Sequence, residues 1–186
     1  AGFFFTSLLS AQNPNYWQQE VNNVIHVTLD DSTKTLDGRI IIDYVNNSPD
    51  TLRYIWFHCW PNAYKNDYTA FSDQLLENGR TDFYFAEENK RGYINRLNFT
   101  VDQLPAMTED HPQHQDIIKL LLPKSIAPKQ SVKIETPFHI QLPYYFSRSG
   151  YIDGAFHVTQ WYPKPAVYDR KGWHEMPYLD QGEFYS

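Results

Sequence analysis

An antiparallel, mostly β domain, curved or sandwiched so that its aromatic faces are covered and carrying one short helix, is the fold this sequence predicts. Three observations predict it. Aromatic residues make up 17% of the 186, with 14 Tyr and 12 Phe, and large rings pack well across a pleated surface. Eight or more short apolar runs, alternating or continuous, are separated by turn residues at regular spacing. The alternation of helices and strands that marks a parallel sheet is missing.

Residues 1–11 (AGFFFTSLLSA) are uncharged, apolar and end in small residues, which resembles the back half of a secretory signal peptide and implies an exported, periplasmic or extracellular protein whose working part begins near Gln12. Residues 24–29 (VIHVTL) place Ile25, Val27 and Leu29 on one face and Val24, His26 and Thr28 on the other, the pattern of a half-buried strand. Asp30, Asp31 and Ser32 turn the chain into a second alternating strand through Leu36, Gly38, Ile40, Ile42 and Tyr44, completing a hairpin. After the turn at 46–50 (NNSPD), residues 52–60 (LRYIWFHCW) are apolar on both faces and predict a central strand that Pro61 stops. Thr69 caps a helix over 70–78, with Phe71, Leu75 and Leu76 facing inward and Gly79 closing it. Residues 81–85 (TDFYF) and 93–101 (YINRLNFTV) read as further strands around a charged turn at 87–92. Residues 117–122 and 131–142, separated by the turn-like PKSIAPKQ, read as the last clear strand pair. No internal repeat and no Gly/Ser linker divides residues 12–186, which are kept as one domain.

Charge narrows the function classes. A net charge of −6 and a pI near 5.6 leave no basic stripe for a nucleic-acid partner. The apolar run at the start is too short to span a bilayer, for which about 20 residues are needed. Cys59 is the single cysteine, so no internal disulfide forms, and between His58 and Trp60 it reads as a small buried hydrophobe. His26 and His58 sit on strands and read as structural. His111 and His114, with Asp110 and Asp116 nearby, have the residue types of a zinc site, but Pro112 breaks the helix that would align them, and a polar surface loop is the expectation.

The densest stretch is 157–186 (HVTQWYPKPAVYDRKGWHEMPYLDQGEFYS), which gathers two tryptophans, four tyrosines and three prolines. Thr159, Gln160, Trp161 and Tyr162 read as a strand end, since Pro163 and Pro165 have no amide hydrogen with which to continue a ladder. Gln160 is then a polar side chain held among large rings at a rigid terminus, a good place to hold a ligand. The same composition also fits a covered sheet edge. Trp161, Tyr162, Trp173 and Tyr178 offer rings for stacking on sugars, so a carbohydrate-binding β-sandwich module is the alternative function, with the rings lying flat on the surface. Residues 182–186 (GEFYS) read like one more strand cut short.

Residues 47–64 (NSPDTLRYIWFHCWPNAY), 75–79 (LLENG) and, most specifically, 159–186 (TQWYPKPAVYDRKGWHEMPYLDQGEFYS) resemble the zinc aminopeptidases related to aminopeptidase N and leukotriene hydrolase, closest to a bacterial, exported, Bacteroidetes-like branch. The resemblance spans nearly everything after Gln12. It implies a saddle-shaped β domain preceding a thermolysin-like catalytic domain, with this chain as the first part only. Zinc is then expected in the downstream domain, held by a His-Glu-x-x-His helix and a later Glu, with none in this chain, which should be inactive alone. His174-Glu175 begins that motif, but Met176, Pro177 and Tyr178 do not continue it. What the first domain lends is a wall for the amino terminus of a peptide substrate. Relatives carry Thr-Gln followed one residue later by Glu or Gln. Thr159 and Gln160 match, and Tyr162 stands where the acidic or amide residue is expected. The resemblance thus implies Gln160, Trp161 and Tyr162 as substrate-binding residues, no catalytic or metal residue here, and the chain's own catalytic domain as partner.

Overall fold

The computed structural model describes residues 16–182; the expected signal remnant at 1–11 and most of the expected last strand lie outside them. The described chain is mostly β and antiparallel, and sandwich-like. In chain order come β1 (Glu20–Asp30), β2 (Thr35–Val45), β3 (Leu52–His58), α1 (Ala70–Glu77), β4 (Tyr93–Asn95), β5 (Thr100–Val101), β6 (Leu104–Pro105) and β7 (Thr108–Asp110). Then follow β8 (Ile117–Ile126), β9 (Ser131–Gln141), β10 (Gly150–Ile152), β11 (Ala155–His157), β12 (Lys164–Pro165), β13 (Val167–Asp169) and β14 (Gly172–His174). One sheet runs β1-β2-β9-β5-β6, with β4 also on β9; the other runs β12-β3-β8-β7, and β10-β11 and β13-β14 are separate hairpins. Among the described residues no helix is long and apolar enough to cross a membrane.

Period-2 alternation builds the core. Ile40, Ile42 and Tyr44 of β2 and Ile134, Phe138 and Ile140 of β9 face Ile55 and Phe57 of β3 and Leu120 of β8, all buried. Burying each such side chain is worth about 1.5–3 kcal/mol. Gly38 belongs to this packing, because a Cβ there would meet the Phe138 ring and the His26 carbonyl at 2.5 Å.

A second cluster lies beside the sandwich. A short 3₁₀ turn, Trp60–Tyr64, follows β3, and α1 packs on it through Phe71 and Leu75, with Phe83, Phe146 and Tyr178 closing the group. Thr69 caps α1 as expected, its hydroxyl oxygen accepting from the Ser72 amide at 3.2 Å. Arg80 N donates to Leu75 O at 2.8 Å across Gly79 at φ 75°, the left-handed closure that glycine makes at little cost.

Several sequence expectations fail, each for a physical reason. The face of β1 carrying Ile25, Val27 and Leu29 does align with Ile40, Gly38 and Leu36 of β2. Yet Val27 and Leu29 are each 44% exposed: β1 is an edge strand, and of that face Ile25 alone packs against the core. β8 and β9 are not a pair. β8 pairs with β3 and β7, while β9 pairs with β2, β4 and β5, so residues 127–130 cross from one sheet to the other. Asn46, fully buried, secures that corner: its Nδ2 donates to Ile126 O at 3.0 Å and Asp50 O at 2.7 Å, and its backbone bonds Gln130 and Lys129. Residues 81–85 form a turn in which only Phe83 is buried, and 93–101 splits into β4 and β5 around Arg96 at φ 59°. Leu76 is 38% exposed because the buried face of α1 is made by Phe71, Ser72 and Leu75.

Candidate functional site

Residues 159–162 do not end a strand. They form a loop between β11 and β12, and Gln160 sits at φ 53°, in the left-handed region that costs a β-carbon-bearing residue about 1–2 kcal/mol. The ladder that does form is the two-residue β12, which pairs Lys164 with His58 and Pro165 with Phe57. Pro165 fits because this is a sheet edge, where its missing N–H leaves no partner wanting.

Side chains compensate for the unfavourable backbone. Ser149, buried at the end of the preceding loop, donates through Oγ to Thr159 O at 2.5 Å and accepts from Thr159 N at 3.0 Å. Thr159 Oγ1 donates to Arg148 O at 3.1 Å. On the other side Lys164 Nζ donates to Gln160 Oε1 at 2.5 Å and lies 4.2 Å from the centroid of the Trp60 ring. The loop is thus clamped at Thr159 and at Gln160. Gln160, Trp161 and Tyr162 are half-buried, and the rings of Trp161 and Tyr162 meet edge to face at 5.5 Å while Trp161 stands on Phe138 at 5.8 Å.

The three expected site residues are therefore adjacent but face different spaces. Gln160 and Trp161 line a void of about 10 Å³ above Trp60, at the lower limit for one water. Tyr162 lines a cleft of about 290 Å³ between the start of β1 and residues 162–168, the larger of these two spaces.

The groups behind the loop carry unusual electrostatics. Lys164 is 9% exposed, and burial depresses its pKa to about 8, because the charged form loses water. His58, on the outer face of β3, is fully buried and stacks on Trp60 at 4.5 Å. Burial, with the Lys164 charge second, holds its pKa down to about 3. Its Nε2 accepts from Met176 N at 3.3 Å, and Trp60 Nε1 donates to Met176 O at 3.0 Å. Asp116 is 3% exposed, accepts from Tyr178 N at 2.6 Å, and is raised by burial to about 6. Cys59 is buried as expected, with its thiol pKa pushed far up by burial.

The four rings offered for sugar stacking do not share a face. Tyr178 is 1% exposed inside the second cluster, while Trp173 packs on Tyr168 at 4.7 Å and Tyr54 at 6.0 Å over the outer face of β3, away from Trp161. His111 and His114 stack at 4.9 Å, and His111 Nδ1 accepts from the amides of Gln113 and His114, each at 3.1 Å, so it organises a turn. His174 Nε2 lies 2.9 Å from Asp169 Oδ1. Among the described residues no group of three His, Cys, Asp or Glu side chains comes together to hold a metal.

Lys164, Ser149 and Trp60 were not singled out from sequence. Lys164 was the most legible of them, since a lysine flanked by Pro163 and Pro165 at a strand pairing has little freedom to reach solvent. No protein-family model matches the chain, and no curated protein matches it in sequence.

Proposed function

We propose that this chain is the non-catalytic, amino-terminal β domain of an exported zinc aminopeptidase-like protein, and that residues 159–162 line the site for the substrate's amino terminus. The observation that carries the reading is the contact at Gln160. Its amide oxygen, held in a strained loop, already accepts from an ammonium group, that of Lys164, at 2.5 Å. A substrate ammonium has the same chemistry and requires the same fixed acceptor. Strain that neighbouring side chains maintain is common where a loop must present one group in one geometry. The resemblance of residues 159–186 to the family supplies the reaction, with zinc and the general base on another domain; export rests on residues 1–11 alone. Trp161 and Tyr162 meet edge to face at 5.5 Å, so the two rings do not make one flat platform of the kind a sugar stacks on.

The test compares two proteins. The purified 186-residue chain is expected neither to bind zinc stoichiometrically nor to cleave aminoacyl anilides, and the gene product that joins it to a His-Glu-x-x-His helix is expected to do both. In that longer protein Gln160→Ala should raise KM for aminoacyl anilides by about tenfold, the value of one charge-assisted hydrogen bond, and leave hydrolysis of an amino-blocked ester unchanged. Hydrolysis by the 186-residue chain would overturn the proposal.

A further inference from the structure

Among the described residues Lys164 has no counter-charge. Its ammonium is buried, its contacts are the neutral Gln160 oxygen and the Trp60 ring, and no carboxylate lies within 4.0 Å of it among the described residues. Proteins rarely leave a buried ion unpaired, because the loss of hydration is not recovered by one neutral acceptor. His58 does not offset the charge, since burial keeps its imidazole neutral. The backbone of Lys164 is fixed by its pairing with His58, so the side chain cannot leave the site by a strand shift.

The same lysine lines the 290 Å³ cleft with Gln19, Asn23, Tyr162, Pro165 and Tyr168. Gln19 is committed to Asn46 and Asn47, and Tyr168 Oη donates to Asp50 at 2.8 Å. The Asn23 amide and the Tyr162 hydroxyl make no hydrogen bond among the described residues and remain as donors. The cleft offers two uncommitted neutral donors and rings on its walls; the Lys164 ammonium, turned to Gln160 and Trp60, completes a recess suited to an anion with a short apolar body when it swings in. We propose that this cleft is a carboxylate-binding site in which Lys164 supplies the charge. The carboxylate comes either from the free end of a small acid or peptide, or from an acidic side chain of an adjoining protein domain. Binding itself is independent of the aminopeptidase reading. One consequence does rest on it: a carboxylate that draws Lys164 into the cleft releases the Gln160 oxygen for a substrate ammonium.

The experiment titrates the 186-residue chain, labelled with ¹³C-lysine and with ¹³C in its tyrosine and tryptophan rings, with sodium propionate and, separately, with the neutral isostere propionamide, at constant ionic strength set with NaCl. Propionate is expected to shift the Lys164 ε-methylene and Tyr162 ring signals saturably and to raise the Lys164 titration midpoint; propionamide is expected to do neither. Lys164→Met keeps the stem that packs on Trp60 and should abolish the propionate shift of Tyr162. Gln160→Ala, which removes the internal acceptor, should tighten propionate binding roughly threefold, because the ammonium then has no other partner. Equal effects of propionate and propionamide, no saturation with either, retained binding in Lys164→Met, or weaker binding in Gln160→Ala would each overturn the proposal. Triglycine, triglycine amide and N-acetylglutamate amide then separate the sources. Loss of binding on amidation assigns a free terminus, and binding of the capped glutamate assigns an acidic side chain; if none binds after propionate has, the site is restricted to small acids.

Discussion

Between the two sheets the interior is assembled from Ile40, Ile42, Ile55, Phe57, Leu120, Ile134 and Phe138, and its polar exceptions sit at the rim, where Asn46 and Ser48 are bonded to backbone and to each other. Along the outer side of β3 the rule changes. His58, Asp116 and Lys164 are buried there among Trp60 and Tyr178, and each is driven toward its neutral form. The first interior gains stability from removing hydrocarbon from water. The second gives some of that gain away by removing ionisable groups from water, and groups perturbed in this way cluster at functional sites more often than elsewhere.

The largest effect expected from this contrast is in the apolar interior. Phe57 is fully buried and meets Phe99 edge to face at 5.0 Å, so Phe57→Ala should cost about 3–5 kcal/mol in denaturant unfolding. Since the ring is packed in the apolar interior, the loss should be the same at pH 5 and pH 8. A loss that changes by more than about 1 kcal/mol, one pKa unit's worth, would show that the two interiors are coupled.

Asp116→Asn tests the polar interior and should have the opposite sign. The Asp116 carboxyl has a folded pKa of about 6 against an ordinary 3.8. Between these values the folded chain keeps a proton that the unfolded chain has released, so its contribution is fully present below about pH 4 and is lost as pH rises through 6. Asparagine keeps an acceptor for Tyr178 N without that loss. The variant should therefore be more stable than the parent above pH 6, by an amount on the order of 1–3 kcal/mol, and equal to it near pH 3.5. His58 acts in the other direction, its contribution being present above about 6.5 and lost as pH falls toward 3, but it is common to both proteins and cancels in the difference. A variant less stable than its parent at pH 7 would mean that the carboxylate charge is used.

The contrast also explains what the sequence made legible. Alternation along β2, β3 and β9 and the capping signals around α1 could be read directly, because period-2 burial and end-of-helix chemistry are local. The crossing of 127–130 between sheets could not, since a turn with Pro128 looks the same whether it joins neighbours or layers. Nor could the exposure of β1, whose apolar face is aligned correctly but left open at Val27 and Leu29. At the site, Gln160, Trp161 and Tyr162 were legible as a cluster, whereas the left-handed turn at Gln160 and the Lys164 clamp depend on Ser149 and Trp60, brought in from 11 and 104 positions away.

The smallest expected effect sharpens the boundary between the two interiors, where α1 begins. Thr69 is 5% exposed; its hydroxyl donates to Ala63 O at 2.9 Å and accepts from Ser72 N at 3.2 Å, so it ties the helix start to the 3₁₀ turn that carries Trp60. Thr69→Ala removes both bonds and should cost about 1 kcal/mol, within the usual range for an N-cap. Thr69→Ser keeps the oxygen and should recover most of it. Leu76→Lys, on the exposed side of the same helix, should change stability by less than about 0.5 kcal/mol. If Thr69→Ala also shifts the Trp60 ring signals while Leu76→Lys does not, the cap belongs to the polar interior as well as to the helix. If neither moves them, α1 is a cover whose attachment is independent of the loop it lies beside.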